Sequence, residues 1–316
     1  MKTSLICTIY NEQRSISEFL NTIESQTVLP DEVIIVDGGS TDKTIEEINK
    51  FFSKSQNKSI YNIYTKKGNR SVGRNEAVRR AKNGIILITD AGCKLDSNWV
   101  KEIQKSFDDK AVDIVAGYYK AQADTVFQKC LTPYALVMPD RVDPTTFLPA
   151  TRSMAIRKPI FEEMGGFDER FSHNEDYVFA RKLRNAGKNI SFAGKAVVYW
   201  IPRSNFRDAY VMLYRFAKGD IEAGIYRPKV MLLFTRYLSA LLLFCYFLST
   251  QNSSVFLLLV ILFVIYIIWS ISKNYRHVKD LRALYYLPLI QFLADFAVMK
   301  GSIDGSFSRR HLIKGL

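Results

Sequence analysis

An uncharged apolar run limits what this 316-residue chain can fold into more than any other feature does. Residues 255–272 contain no charged side chain, and 18 such residues make a helix long enough to cross the hydrocarbon core of a bilayer. A second apolar segment, 230–249, is interrupted only by Arg236, whose flexible side chain can reach the nearer membrane surface. The sequence therefore predicts two membrane spans in the last third of the chain.

Basic residues flank these two segments at their outer ends. The chain carries a net charge of +13, and residues 200–316 hold 15 basic but only 6 acidic residues. The connection 250–254 is uncharged, whereas the outer flanks are basic at Arg227, Lys229, Lys273, Arg276, Lys279 and Arg282. By the positive-inside rule, both flanks and the chain before them face the cytoplasm. We expect a multi-pass protein of the inner membrane that contacts membrane lipids.

A basic chain is also typical of nucleic-acid-binding proteins. Residues 1–199, however, hold 29 basic and 25 acidic residues, an excess of only four, and contain no recognition motif that stands out. Most of the excess charge lies beside apolar segments, where it fits an anionic membrane surface better. We therefore expect no nucleic-acid partner.

A third apolar segment, 284–299, is shorter and contains Pro288 and Asp295. A complete crossing would leave three basic residues on the outer side, against the charge rule: Arg309, Arg310 and Lys314. The sequence therefore predicts a re-entrant or interfacial helix inside a membrane region that covers 230–316. An acid in a membrane segment marks a functional site, and we expect Asp295 near a lipid diphosphate or a basic partner such as Arg236.

Residues 201–229 connect this region to the preceding chain and contain an amphipathic helix. Its apolar positions share one helical face: Phe206, Ala209, Tyr210, Leu213 and Ala217. Basic residues lie on the other faces, which suits a helix at the membrane interface. An ordinary helix packed on the preceding domain fits the same pattern, and both interpretations stay open.

Short apolar runs alternate with amphipathic segments over residues 1–200. The runs have the length and composition of buried strands: 4–9, 33–36, 60–64, 85–88, 112–115 and 154–156. Between them, apolar residues recur with helical spacing, as at Ile16, Phe19, Leu20 and Ile23. This alternation predicts an α/β domain with a mostly parallel sheet flanked by helices. In such a sheet the ligand binds at the carboxyl ends of the strands.

Missing motifs argue against several classes of enzyme. The chain has no G-x-x-x-x-G-K-[ST] or G-x-G-x-x-G loop, no H-E-x-x-H helix and no G-x-S-x-G elbow. With only three histidines, a histidine-based triad or metal cluster is not expected. The four cysteines lie far apart without a C-x-x-C pair, which fits a reducing compartment and gives no zinc site.

Six short motifs follow one another over about residues 3–200: T-x-Y-N-E, V-D-G-G-S-T-D, G-N-R-S-V-G-R-N, T-D-A-G, G-G-F-D-E-R-F and N-E-D. In this order and spacing the motifs resemble family 2 of the glycosyltransferases, which has a GT-A fold. The resemblance implies a membrane-anchored, bacterial-type cell-envelope or exopolysaccharide glycosyltransferase. Such an enzyme moves a sugar from a nucleotide-sugar donor to a lipid-linked or polysaccharide acceptor.

The resemblance places the donor nucleotide beside the ends of the strands. It implies donor contacts from Thr8, Tyr10, Glu12, Asp37, Gly39, Arg74, Asn75, Asp90 and Ala91. Backbone amides at the start of the helix that carries Arg74 attract phosphate. The guanidinium of Arg74 can bind a phosphate with two nitrogens. Asp37 also fits a plain turn in which Ser40 or Thr41 caps the next helix, and both interpretations of Asp37 can hold together.

Asp90-Ala91-Gly92 stands where the family has an Asp-x-Asp motif. In the family, two carboxylates there hold Mg²⁺ or Mn²⁺, which binds the donor diphosphate. Gly92 replaces the second acid, so the resemblance implies a divalent cation held by Asp90 and by the diphosphate itself. Asp96 is a second acid nearby, but it fits better as the cap of the helix that contains Trp99.

Asn174-Glu175-Asp176 opens a helix that the sequence predicts to run to about Ala186. The helix dipole favours acids in a first turn, so capping alone explains them. The resemblance instead implies that Asp176 is the general base and Glu175 its support. One carboxylate base without a second nucleophile means a single displacement with inversion. On the acceptor side the expected residues are Arg152, Ser153, Gly166 and Phe167.

Two other roles fit the same sequence. Transfer of the sugar onto polyprenyl phosphate itself would give a lipid-phosphate sugar. A membrane scaffold with an inactive GT-A domain is favoured by one feature, the missing acid at Gly92. The donor is expected to be a UDP-sugar, while the identity of the sugar and of the acceptor stays open.

Overall fold

The computed structural model describes the backbone of residues 1–314 and the side chains of residues 1–309. This part of the chain divides into two compact units. The first comprises Met1–Gln122 and Met138–Ile201, and the second comprises Ala123–Val137 and the chain from Pro202 onward. The catalytic role expected for residues 1–200 and the membrane role expected for the last third remain predictions.

Strands and helices alternate through most of the first unit and give way to helices in the second. In chain order the elements are β1 (Thr3–Ile9), α1 (Ile16–Glu24), β2 (Glu32–Asp37), α2 (Thr44–Phe52), β3 (Tyr61–Thr65), α3 (Arg70–Arg80), β4 (Ile85–Ile88), β5 (Cys93–Leu95), α4 (Trp99–Lys105), β6 (Ile114–Ala121), α5 (Val126–Ala135), β7 (Met154–Arg157), α6 (Lys158–Glu163), α7 (Glu175–Asn185), β8 (Ile190–Trp200), α8 (Phe206–Glu222), α9 (Pro228–Thr250), α10 (Ser253–Tyr275) and α11 (Ala283–Lys314). Helix α5 belongs to the second unit together with α8 to α11.

The first unit contains a mixed sheet with the strand order β3-β2-β1-β4-β7-β6-β8-β5. Strands β1 to β4 run parallel to one another, and β6 runs parallel to β8. Strand β7 runs antiparallel to β4 and β6, and β5 runs antiparallel to β8. The predicted α/β class with helices packed on the sheet is confirmed.

Parallel pairing brings the ends of three strands together. Ile9 at the end of β1 pairs with Asp37 at the end of β2, and Ile6 of β1 pairs with Ile88 at the end of β4. Asp90 follows β4 by two residues. The polar residues after β1, β2 and β4 therefore meet at one edge of the sheet, as expected for a parallel arrangement.

The core of this unit is apolar and continuous. Strands β2 and β4 are buried along their whole length. The predicted face of α1 is confirmed, because its four apolar residues are all buried. Gly73 allows α3 to lie against β1, since a Cβ at this position would stand 2.7 Å from Cγ2 of Thr8.

Strands at the far side of the sheet differ from the prediction. The expected strand 112–115 begins two residues later and extends to Ala121. Strands β5 and β8 were not predicted. Strand β8 pairs with β6 through a bulge, because the register passes from Ala193 opposite Gly117 to Val197 opposite Tyr118. The bulge interrupts the apolar period along β8, so the sequence carries no clear strand signal there.

Three helices of the second unit are long and apolar enough to cross a membrane: α9, α10 and α11. The predicted spans 230–249 and 255–272 lie inside α9 and α10. The third segment was expected to end near residue 299, but α11 continues to Lys314. Pro288 lies inside this helix, five residues after its first residue, and does not end it. The side chains of Arg310 and Lys314 and residues 315–316 lie outside the described residues.

Two glycines one turn apart let α11 pack closely along α8. A Cβ at Gly301 would stand 2.3 Å from the carbonyl oxygen of Tyr214, and a Cβ at Gly305 would stand 2.7 Å from that of Lys218. The facing side of α8 is buried, including the predicted apolar positions Ala209, Leu213 and Ala217. Helix α8 thus packs on α11, which gives its apolar face a protein partner. Its placement at a membrane interface remains a prediction.

We predict that Gly301→Val destabilises the second unit although valine is the better helix former. Its side chain would overlap the α8 backbone, with an expected loss of about 1–3 kcal/mol or more. The measurement is the thermal unfolding midpoint of the full chain in detergent. Gly84→Ala is the control, because nothing lies within 4 Å of a Cβ at Gly84. An unchanged midpoint for Gly301→Val would contradict the close packing of the two helices.

Candidate active site

Polar side chains from several segments of the first unit converge where β1, β2 and β4 end. Asp37 closes β2 and Asp90 follows β4. Helix α3 supplies Arg74, while α7 supplies Glu175 and Asp176 in its first turn. The residues expected at the donor and at the base thus lie on elements that meet through Arg74, which contacts both Asp90 and Glu175.

Asp37 shapes the turn that follows β2. Its carboxylate accepts hydrogen bonds from the backbone N–H of Gly39 at 3.1 Å and of Ser40 at 3.0 Å, and from the Ser40 hydroxyl at 2.6 Å. Gly39 adopts a φ of 99°, a conformation that glycine favours. The turn interpretation of Asp37 is therefore correct. The predicted helix cap is wrong, because Ser40 is engaged by Asp37 and α2 begins only at Thr44.

The loop after β1 is fastened to this turn. Asn11, with a φ of 55°, donates its backbone N–H to the Ser40 hydroxyl at 2.9 Å. Glu12 donates its backbone N–H to the side chain of the first residue of α2 at 2.7 Å. Tyr10 stays 59% exposed, and Thr8 lies half-buried against α3. The exposed ring of Tyr10 can stack on a ligand, while the backbone around it is held in place.

Arg74 is a buried cation between two acids, with only 2% of its side chain exposed. Its Nη1 donates to Oε1 of Glu175 at 2.5 Å, and its Nη2 donates to Oδ1 of Asp90 at 2.7 Å. The ring of Phe167 lies 5.6 Å from the guanidinium carbon. Two buried atoms lack a partner within the described residues, Nε of Arg74 and Oε2 of Glu175. Each of these atoms keeps an unused hydrogen-bonding position that is closed to solvent.

The charges of this network act on one another. Burial opposes the charged form of Arg74, but the neighbouring carboxylates, first of all Asp90, raise its pKa. Burial raises the pKa of Glu175 in spite of its contact with Arg74. Burial would raise the pKa of Asp90 as well, but Arg74, Arg70 and Arg152 hold it below its ordinary value. Asp90 is therefore ionised at neutral pH, beside a permanent cation.

Asp176 differs from its neighbour because its carboxylate is only partly used. The backbone N–H of Tyr177 donates to Oδ1 at 2.8 Å. Among the described residues, Oδ2 is approached only by the N–H and the hydroxyl of Thr151, at 3.4 Å and 3.5 Å. Asp176 is half-buried. Its carboxylate can therefore take a proton from a bound hydroxyl. Thr151, which lies beside Asp176 in space, was not predicted, because no feature of the sequence pointed to it.

The predicted helix at this position is present. It runs from Glu175 to Asn185, and Gly187 with a φ of 69° follows its end. Asn174 precedes it with a left-handed backbone, at a φ of 59°. Both acids thus lie at the amino end of α7, where the helix dipole favours negative charge.

Asn75, expected at the donor, holds the loop that follows α6. Its Oδ1 accepts the backbone N–H of Phe167 at 2.9 Å, and its amide donates to the carbonyl of Phe167 at 2.8 Å and to Glu169 at 3.0 Å. Gly166, with a φ of 69°, leaves room for this amide, since a Cβ would stand 2.7 Å from it. The polar atoms of Asn75 are thus engaged by the protein, and its contact with a donor stays a prediction.

Ser153 and Phe167, expected on the acceptor side, are buried. The Ser153 hydroxyl accepts the indole N–H of Trp99 at 2.8 Å and donates to the carbonyl of Ala196 at 3.1 Å. Phe167 is 1% exposed and packs against the Arg74 guanidinium. Both residues support the site from inside, and a direct role at an acceptor stays a prediction.

Arg152 is different because its side chain can still meet a ligand. Its guanidinium carbon lies 5.3 Å from the ring of Trp200 and 5.7 Å from that of Tyr119. The side chain is half-buried and makes no hydrogen bond or ion pair with another described residue. Two aromatic rings therefore hold a cation near Asp90, whose pKa it lowers.

The acids fit a divalent cation only with help from a ligand. Among the described side chains, no three His, Cys, Asp or Glu residues lie close enough to hold a metal ion by themselves. Asp90 offers Oδ2, which accepts no hydrogen bond from the described residues, next to the backbone of Ala91. Asp96 accepts the N–H of Asn98 at 3.1 Å in the turn before α4 and does not join Asp90. One carboxylate with substrate phosphates is a coordination that Mg²⁺ commonly uses.

Two family models match the chain. The model described as "Glycosyl transferase family 2" matches residues 4–165, just over half of the chain. The model described as "Glycosyl transferase family group 2" matches residues 85–297. The matches cover the motifs at the strand ends, and the second extends through α10.

Curated relatives are 24–29% identical to the chain over the aligned residues. The O-antigen chain rhamnosyltransferase RfbN of Salmonella typhimurium is 29% identical over 230 residues, which are 66% of this chain and 70% of the relative. The poly(ribitol-phosphate) beta-glucosyltransferase of Bacillus spizizenii is 29% identical over 71% of this chain, but the chain spans only 37% of that enzyme.

Solved structures share the fold. The mannosyltransferase PcManGT from Pyrobaculum calidifontis, solved with GDP-Man and Mn²⁺, has a TM-score of 0.64 at 17% identity, over 95% of this chain and 86% of that chain. S. aureus TarS has a TM-score of 0.51 at 20% identity, over 70% of this chain and 40% of that chain. The predicted GT-A type of fold is thereby confirmed.

We predict that Arg74→Gln destabilises the first unit by about 3–5 kcal/mol, because it removes the cation that Glu175 and Asp90 contact directly. Chemical denaturation of the full chain in detergent measures the effect. Arg70→Gln is the matched control, since Arg70 is 51% exposed and lies 4.0 Å from the same carboxylate. Its expected loss is below about 1 kcal/mol. Equal losses for the two variants would contradict a special role for Arg74.

Proposed function

The chain belongs to glycosyl transferase family 2 and is a glycosyltransferase, and from this premise we propose a single-displacement transfer from a nucleotide-sugar donor with inversion at the anomeric carbon. The observation that carries the proposal is the buried Arg74, which links Asp90 to the helix that presents Asp176. The guanidinium of Arg74 thereby fixes Asp90, which we propose to face the donor diphosphate, relative to Asp176. A UDP-sugar is the donor to test first.

Asp176 is the proposed general base. An acceptor hydroxyl must lose its proton as its oxygen attacks the anomeric carbon, and Oδ2 of Asp176 has only two long contacts within the described residues. Glu175, next to it, faces Arg74 and cannot serve in the same way. Glu175 is therefore a positioning residue that fixes the start of α7.

The departing nucleotide carries negative charge, which the site can neutralise. Arg70 and Arg152 lie near Asp90, and the backbone amides at the start of α3 favour phosphate. We propose that Asp90, through Oδ2, holds a divalent cation together with the donor diphosphate. When bound, such a cation neutralises developing charge on the leaving group. The structural neighbour solved with GDP-Man and Mn²⁺ supports this choice of cofactor.

The acceptor is proposed to be a lipid-linked or polysaccharide glycan at the cytoplasmic face of the inner membrane. Relatives named for O-antigen chains and for poly(ribitol-phosphate) support an envelope glycan as the acceptor class. The helices α9 and α10 support membrane attachment. The basic flanks of both helices support a cytoplasmic position for the first unit.

We predict that Asp176→Asn lowers kcat by about 10²–10⁴-fold, because asparagine cannot accept the proton. Donor binding, measured by calorimetry, should stay within about threefold, since the donor is expected to contact Asp90 and Arg74 instead. Transfer is measured with a UDP-sugar panel and membrane-extracted acceptor lipid.

The matched control for this prediction is Glu162→Gln. Glu162 is 59% exposed and pairs with Lys158 at 3.8 Å, away from the Arg74 network. It should retain full activity. Full transfer by Asp176→Asn would overturn the assignment of the base.

We predict that Gly92→Asp tightens metal binding several-fold. Nothing lies within 4 Å of a Cβ at Gly92, so a carboxylate can be added there without steric conflict. It would give the cation a second oxygen ligand with charge. The measurement is the Mn²⁺ concentration that half-saturates donor binding. Gly92→Asn, which adds a side chain of the same size as aspartate but without charge, should tighten metal binding less. Equal half-saturating Mn²⁺ concentrations for the unmodified chain and Gly92→Asp would contradict a metal at Asp90.

A further inference from the structure

A carboxylate with four donors joins the three apolar helices of the second unit. Oδ2 of Asp295 accepts from Nη2 of Arg236 at 2.7 Å, from the Tyr237 hydroxyl at 2.9 Å and from the Tyr266 hydroxyl. Oδ1 accepts from Nε2 of Gln291 at 2.9 Å. The basic partner that the sequence suggested for Asp295 is thereby confirmed. Asp295 is 5% exposed, and both of its oxygens are engaged by the protein.

Arg236 is not satisfied in the same way. A guanidinium carries five N–H donors, and Arg236 uses only Nη2 within the described residues. Its side chain is 39% exposed. The guanidinium carbon lies 4.6 Å from the ring of Tyr266, 5.3 Å from that of Tyr237 and 5.7 Å from that of Trp269. Aromatic faces and one carboxylate oxygen thus fix the group, while Nε and Nη1 remain available.

Lys273 brings a second cation to the same aromatic ring. Its Nζ lies 4.8 Å from the ring centre of Trp269 and 5.2 Å from that of Tyr134. It is also 3.3 Å from Oε1 of Gln291. Arg236 and Lys273 therefore both lie beside Trp269, at the end of the α9 and α10 pair that the basic flanks mark as cytoplasmic.

The depth of this cluster defines its surroundings. Arg236 lies eight residues after Pro228, about 12 Å along α9, and Tyr266 lies about as far from the end of α10. A hydrocarbon core is about 30 Å thick, so the backbone at these two positions lies deep in one leaflet. Side chains of a helix lean toward its amino end, which for α9 is the cytoplasmic end, so the guanidinium of Arg236 extends toward the headgroups. Guanidinium N–H groups that face lipid without an acceptor are costly there. Lipid phosphates are the acceptors within reach of an arginine that extends toward the headgroups.

We propose that Arg236, with Lys273, binds the phosphate group of a membrane lipid at the cytoplasmic end of α9 and α10. The proposal rests on the membrane placement in the proposed function, but not on the chemistry assigned to Asp176. The planar guanidinium donates from Nε and Nη1 to two phosphate oxygens, and Lys273 adds a further charge-assisted contact. The phosphate belongs either to the acceptor lipid or to a bulk anionic phospholipid, which the experiment separates.

The test compares two variants that differ only in the arginine, Asp295→Asn and the double variant Arg236→Gln with Asp295→Asn. The double variant keeps neutral hydrogen bonds between the helices and avoids a buried unpaired charge. The full chain in detergent is titrated with a polyprenyl phosphate and, in a second arm, with phosphatidylglycerol, and bound lipid is counted by native mass spectrometry. No donor is present and no turnover is measured, so a failure of the proposed base would leave the result unaffected.

Asp295→Asn is expected to bind at least as tightly as the unmodified chain, because it removes the acid that offsets Arg236. The double variant should bind at least about tenfold more weakly. Lys229→Gln, which removes an exposed charge from the same helix, should stay within twofold. Preference for polyprenyl phosphate identifies the acceptor lipid, and equal binding of both lipids identifies bulk phospholipid. Binding by the double variant within twofold of Asp295→Asn, or an equal loss in Lys229→Gln, overturns the proposal.

Discussion

The site depends on one buried charge. Arg74 is almost wholly removed from water, and the cost of burying its guanidinium is offset only if carboxylates meet it at hydrogen-bonding distance. Glu175 and Asp90 meet this requirement at 2.5 Å and 2.7 Å. Helix α3, the end of β4 and the start of α7 are therefore fixed relative to one another. The proposed base, one residue after Glu175, takes its position from this ion pair.

The spacing of apolar residues along the sequence predicted several helices and strands correctly. The apolar face of α1, the short buried strands β2 and β4 and the helix that opens at Glu175 are all present. Strand β8 was not predicted, because its bulge breaks the period that would mark a strand. The link between Arg74 and Glu175 joins residues far apart in sequence, and only the assembled sheet shows it. Asn75 stands next to Arg74 in the same motif, yet its amide holds the loop at Phe167 and does not join the Arg74 network.

In the second unit, two glycines and one ion pair specify how the apolar helices pack. Gly301 and Gly305 are spaced one turn apart, and they let α11 pack closely on α8 beyond its apolar part. Asp295 and Arg236 lie in different apolar helices, and their ion pair joins α11 to α9. The same pairing leaves part of the guanidinium without an acceptor, which turns a structural contact into a candidate binding site.

If Asp176 acts as the general base and no second nucleophile takes part, the sugar is transferred in a single displacement. The most direct measurement is the anomeric configuration of the product, made from a donor of known configuration and read from the one-bond carbon–proton coupling at the anomeric carbon by NMR. A single displacement gives the opposite configuration in the product. Retention would require a covalent intermediate or a second nucleophile, and it would contradict the role assigned to Asp176.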